Sequence, residues 1–263
     1  MGNVGKGWET IMETLRVGKQ DGVATITLHR PEVHNAISME LVDELTAVLK
    51  DCETDTQVKV LIVTGTGKSF VSGGDLNQFI AVRGYEQSFP LLHKVTGLLS
   101  AIDHFPKPVI AMVNGAAVGG GCEFAGACHF RFASDQAVFG FVQISMHITT
   151  GWGGGSRLLD KLPESKALAL LLTGERMSAL EAKGYGFVDE VYPVEKLQEE
   201  VERFARKIAA QPLVGIEGYM RMLHWKRDGL PQEERIQKEV SQCASIWGTD
   251  EHVSVVQKFL RKR

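Results

Sequence analysis

The chain has 263 residues, 44% hydrophobic and 23% charged, enough apolar material for a substantial core in a soluble protein. A formal net charge of −3 leaves no basic excess, which argues against a nucleic-acid-binding protein. No apolar run approaches the ~18 residues of a membrane span.

The N-terminal segment MGNVGKGWETIMETLRV lacks the apolar stretch of a secretory signal, and the lysine at position six breaks the myristoylation pattern its Met-Gly start suggests. Residues 13–28 read as two strands around an Asp21-Gly22 turn. HRPEVHNAIS follows as a loop, with Ser38 placed to cap a helix whose apolar residues Met39, Val42, Leu45, Val48 and Leu49 recur at helical spacing. KVLIVTG, residues 59–65, predicts a strand buried on both faces, followed by the glycine-rich loop TGTGKSFVSGGDL. The pattern predicts a helix over 89–104, stopped by the prolines of FPKPVIAMVNG, in which VIAMV (109–113) is a second buried strand. NGAAVGGGCEFAGAC then turns into a helix of very small residues. RFAS, a strand near AVFGF, the helix SRLLDKL and a strand in GFVDEVY continue the alternation through residue 192. From Val194 the pattern is helical, with EKLQEEVERFARKIAAQ followed by two amphipathic helices and the basic end KFLRKR, which is read as solvated. These elements imply an α/β core over 1–193 and a helical region over 194–263 that packs on a neighbouring subunit.

Cys52, Cys122, Cys128 and Cys243 show neither CxxC nor metal-finger spacing, so reduced thiols, no metal and a cytoplasmic location are expected. The two glycine-rich segments carry the chemical signal. Ser72-Gly73-Gly74-Asp75 follows an apolar strand, and Gly119-Gly120-Gly121 immediately precedes helical residues. Glycines admit a ligand close to the backbone, and first-turn amides lack intrahelical partners. Two such turns side by side would aim two N–H groups at one oxygen, as an oxyanion hole does. For either segment alone, a tight strand-to-helix turn is the plainer reading.

ITLHRPEVHNAIS, KSFVSGGDL, KPVIAMVNGAAVGGGCEFAGAC and LLTGERMSALEAKGYGFVDEV together resemble the crotonase, or enoyl-CoA hydratase/isomerase, superfamily over nearly the whole chain. The resemblance implies a crotonase-like spiral of ββα units with a C-terminal trimerisation region, assembled as trimers or as hexamers of two trimers. It implies acyl-CoA substrates whose thioester enolate is held by two backbone amides, here those of Gly74 and Gly120, with no cofactor other than the coenzyme A of the substrate. His34, Ala36, Ser72, Gly73, Asp75 and Leu76 fall in loops expected to contact the substrate's CoA part, and Gly121, His147 and Trp152 complete the expected lining.

Hydratases of this family use two glutamates. The first matches Glu123; the second is expected twenty positions on, where FGFVQISMHITTGWGGGSRL aligns without a gap and holds Gln143. An amide can orient a water but cannot exchange a proton at neutral pH. His147, Thr150 and Trp152 also stand where the family pattern has Gly, Pro and a small residue. His147 could titrate near neutrality, although a structural histidine is the plainer reading. The expected chemistry is therefore that of one carboxylate, Glu123: decarboxylation of a malonyl-type thioester or a double-bond shift. Hydration in fatty-acid degradation is the alternative, and acyl-CoA binding without turnover the alternative of another class. Phe79, Phe141, Met146 and Trp152 are candidates to narrow the pocket, although core packing is the commoner use of such residues.

Overall fold

In a computed structural model, which describes residues 8–261, eleven strands form two sheets. The Met-Gly start and the last two residues of the basic end lie outside the described residues. The larger sheet begins with the strand β1 (Trp8–Ile11) and the hairpin β2 (Leu15–Gln20) and β3 (Val23–Leu28). The hairpin turns through Asp21 (φ 51°) and Gly22 (φ 80°), the positive-φ pair that a two-residue turn requires.

From there the chain alternates between the sheets. β4 (Val60–Gly65), β6 (Val109–Val113) and β8 (Phe130–Ser134) extend the larger sheet in parallel, closed by β11 (Glu190–Tyr192). β5 (Ser69–Val71), β7 (Ala116–Val118) and β9 (Val138–Gly140) build the smaller sheet, closed antiparallel by β10 (Arg176–Ser178). The strand orders are β1-β2-β3-β4-β6-β8-β11 and β10-β9-β7-β5. Three successive steps, β4/β5, β6/β7 and β8/β9, each contribute a strand to each sheet before a helix returns the chain, which is the expected spiral of ββα units.

The helices follow from capping and periodicity. Ser38 Oγ accepts from Leu41 N and starts α1 (Met39–Thr54), which buries Leu41, Val42, Leu45, Leu49 and Cys52. The short α2 (Leu76–Phe79) is capped by Asp75. α3 (Gly84–Asp103) begins five residues before the expected start and carries Pro90 inside it. The proline forfeits one backbone bond, but the helix is held by Val95, Leu98, Leu99 and Ile102, which are buried at helical spacing. α4 (Gly120–Ala127) is buried throughout; α5 (Gly154–Lys161), α6 (Glu164–Thr173) and α7 (Ala179–Tyr185) follow.

Period-two alternation explains the two buried faces of the central strands. Leu61 and Val63 of β4 face the main core with Phe70, Phe124, Phe139 and Phe141, while Val60 and Ile62 join Ile110, Met112 and Phe132 in a second cluster. That second cluster is completed by Leu197, Val201, Ala205 and Ala209 of α8 (Val194–Ala209). Burial of each large side chain there contributes roughly 1.5–3 kcal/mol. α8 therefore packs on the sheet, and the chain divides into two compact units after Leu213. The second unit contains most of α9 (Leu213–Arg227) together with α10 (Gln232–Ile246) and α11 (Asp250–Leu260). Neither α10 nor α11 has a buried residue, and Val240, Trp247 and Val255 are exposed.

Candidate active site

The parallel pairing of β5 with β7 sets the two glycine turns beside each other, because both turns leave the same ends of paired strands. A Cβ on Gly73 (φ 108°) would stand 3.4 Å from Gly120 N. One on Gly121 would collide with the Val71 carbonyl, so only glycine lets the first turn of α4 seat on β5. Gly121 thus serves close packing. Among the described residues no acceptor takes the N–H of Gly74 or of Gly120.

Aromatic rings lie against both glycines. A Cβ on Gly74 would run into the Phe79 ring, and one on Gly120 into the Trp152 ring. Phe141 and Trp152 belong to the buried core, whereas Met146 is exposed.

The loop with His34 is stitched to the Gly73 turn. Ile37 N donates to Gly73 O at 2.8 Å and Asp75 N to Ile37 O at 3.0 Å. Arg30 spans them, donating from Nη1 to Ala36 O at 2.6 Å and pairing from Nη2 with the buried Asp75 carboxylate at 2.7 Å. Ser72 Oγ donates to Val33 O at 3.3 Å, and His34 Nδ1 lies 3.4 Å from Ser69 Oγ. Leu76 is exposed. The two loops expected to hold the CoA part are thus joined to each other, and Arg30 ties them together, a link that the sequence pattern did not reveal.

Glu123, 2% exposed in the first turns of α4, points its carboxylate at the start of α5. Oε2 accepts from Trp152 N and Gly154 N, both at 2.8 Å. Oε1 accepts from Gln143 Nε2 at 2.9 Å and from Gly151 N at 3.4 Å. A carboxylate at a helix N-terminus gains from the amides and dipole there, so Glu123 also fastens α5. Gly154 makes the approach possible, since a Cβ there would strike the Glu123 side chain. Burial raises the Glu123 pKa, while the bonds from Gly154, Trp152, Gln143 and Gly151 pull it back down.

Gln143, on a 3-10 turn (Val142–Met146), is buried, and among the described residues its Oε1 has no hydrogen-bond partner. His147 ends that turn in the left-handed region (φ 57°) with its side chain exposed, and it is not among the four donors to Glu123. Trp152 meets Glu123 through its backbone N–H and Gly120 through its ring. The amides of 151, 152 and 154 were missed from sequence; GWGGGS opening a helix is the signal that could have found them. Among the described residues no cluster of His, Cys, Asp or Glu could hold a metal ion, and no helix is long and apolar enough to cross a membrane.

The family model described as Enoyl-CoA hydratase/isomerase matches residues 18–263. A probable enoyl-CoA hydratase of Bacillus subtilis is 33% identical, covering 96% of this chain and 97% of that protein. The 2,3-dehydroadipyl-CoA hydratase of Escherichia coli is 30% identical over the same shares, 96% and 97%. The crystal structure of an enoyl-CoA hydratase from Bacillus anthracis superposes with a TM-score of 0.89 at 30% identity, covering 95% of this chain and 97% of that one.

Proposed function

The chain belongs to the enoyl-CoA hydratase/isomerase family, and on that premise we propose that it acts on a short acyl-CoA through a thioester enolate, with Glu123 as its one proton-exchanging side chain. The N–H groups of Gly74 and Gly120 receive the thioester oxygen as negative charge develops on it. Oε1 of Glu123, whose contact with Gly151 is the loosest of its four, is the oxygen that takes and returns the proton. In a double-bond shift it removes a proton from the α-carbon, the electron pair moves into the carbonyl, and the proton returns at the γ-carbon. In decarboxylation the breaking C–C bond supplies those electrons as CO₂ leaves, and the acid form of Glu123 protonates the α-carbon.

The observation that carries the reading is the lone carboxylate, raised in pKa by burial, with an amide donating to it where a second carboxylate would otherwise share the proton work. Coenzyme A enters as part of the substrate and no further cofactor is needed. The C-terminal helices serve to assemble a homotrimer or a hexamer, and the enzyme works in the cytoplasm.

A second reading, hydration of an enoyl-CoA, is favoured by the names of similar proteins. Mass-spectrometric turnover of crotonyl-CoA, a 3-enoyl-CoA, and methyl- and ethylmalonyl-CoA separates the two. Brisk reaction of a 3-enoyl- or malonyl-type thioester with sluggish hydration supports the first; fast hydration of crotonyl-CoA supports the second.

A further inference from the structure

The amides that grip Glu123 have a second support behind them. Trp152 N and Gly154 N donate to the carboxylate, while the carbonyl between them, Trp152 O, accepts from Arg157 Nη1 at 2.8 Å. The Arg157 side chain is only 13% exposed and is held in turn by α3. Its Nη2 donates to Ser100 Oγ at 3.2 Å, and its Nε lies 3.7 Å from the buried Asp103 carboxylate. Ser100 and Asp103 share a face of α3 with Thr96, whose Oγ1 stands 3.4 Å from Gly151 O. The loop 151–154 is therefore fixed to α3 through its carbonyls and to Glu123 through its amides.

A planar guanidinium suits this task better than a point charge, because its fork of N–H donors holds a carbonyl, a hydroxyl and a carboxylate at once. The loop is shaped around it. Gly153 has φ 83°, and a Cβ there would stand 2.9 Å from Arg157 Nη1, so the chain passes the guanidinium where only glycine fits. Since only φ and ψ are free at each residue, anchoring the Trp152 carbonyl sets the peptide that separates the two 2.8 Å donors. Arg157 is not itself among the donors to Glu123, which are Gln143 and the amides of 151, 152 and 154. It acts through the loop.

Resting on the acyl-CoA reading above, we propose that Arg157 is a positioning residue: braced by Ser100 and Asp103 of α3, it holds the Trp152 carbonyl so that the amides of 152 and 154 stay aimed at Glu123 while that carboxyl exchanges its proton.

The decisive variant is Arg157→Lys, which keeps the charge and loses the fork. Two measurements are made on the full chain. One is solvent deuterium incorporation into saturating butyryl-CoA, with its dissociation constant from calorimetry. The other is the titration of the Glu123 carboxyl by carbon NMR, assigned with Glu123→Gln. The expected result is exchange slowed about 10–10²-fold with the dissociation constant unchanged, a loss in the chemical step alone. The Glu123 midpoint rises, because loosened amides stabilise the carboxylate less. An arginine that only stabilised the fold would lower the melting temperature and move neither reading. Wild-type exchange with an unmoved midpoint in folded Arg157→Lys overturns the inference, as does a weakened dissociation constant with exchange at saturation intact. A wild type that exchanges nothing overturns the acyl-CoA reading instead; the midpoint, which needs no substrate, then decides the role of Arg157. Should Arg157→Lys not fold, Ser100→Ala removes one brace and carries the same two expectations at smaller size.

Discussion

Gln143 Nε2 donates to Glu123 Oε1 at 2.9 Å, so the residue that breaks the expected carboxylate pair still serves the carboxylate that remains. The bond orients Glu123 and stabilises its charged form without competing for a proton. Gln143→Glu would set two carboxyl groups at that distance, where they share a proton and titrate as a pair. Hydration of crotonyl-CoA is expected to rise about 10²–10⁴-fold over the wild type, read as the rate of loss of the enoyl absorbance.

The pH dependence follows from the burial of Glu123. Its pKa is displaced upward, so the folded chain holds that proton more tightly than the unfolded chain. The carboxyl's contribution to stability is therefore greatest below the ordinary carboxylate range and is lost as pH rises through the raised value. Activity that begins by removing the α-proton moves the opposite way and climbs as Glu123 ionises. Melting temperatures of wild type and Glu123→Gln across pH check the first, because the variant lacks this slope; the pH profile of turnover checks the second.

Gly120 and Trp152 are coupled by direct contact. Gly120→Ala would drive a Cβ into the Trp152 ring, with an expected cost of about 1–3 kcal/mol in stability and loss of turnover. Trp152→Ala leaves a void in the core and is expected to cost about 3–5 kcal/mol. The double variant is expected to be more stable than the sum of the two, and denaturant melts of all four proteins measure the coupling.

Much of this arrangement was legible in the sequence, because it rests on local signals. The Asp21-Gly22 turn, the Ser38 cap and the doubly buried strand at 60–65 each leave a pattern in a few residues. The glycine turns were legible for the same reason, and β5–β7 pairing brings them together. Three features depended on contacts far apart in the chain. α8 reads as an ordinary amphipathic helix, and its sequence does not say that its apolar stripe covers Val60 and Ile62. Arg30 reaching both Ala36 and Asp75 is a matter of tertiary geometry. The amides that grip Glu123 come from residues 28 to 31 positions away, and backbone groups leave no letter in a sequence.

The exposed apolar residues of α10 and α11 bear on assembly. The proposed oligomer predicts that sedimentation will show a trimer or hexamer. Val240→Lys with Val255→Lys, at positions exposed in the second unit, is expected to yield smaller species without unfolding the first unit.

In the proposed reaction the two glycine amides and Glu123 together make and protonate a thioester enolate. Its most direct measurement is incorporation of solvent deuterium at the α-carbon of butyryl-CoA, which reports enolate formation whatever the full reaction is. Steady exchange by the wild type and a fall of about 10²–10⁴-fold in Glu123→Gln are expected. Exchange that persists undiminished in Glu123→Gln, or a folded wild type that binds butyryl-CoA and exchanges nothing, would contradict it.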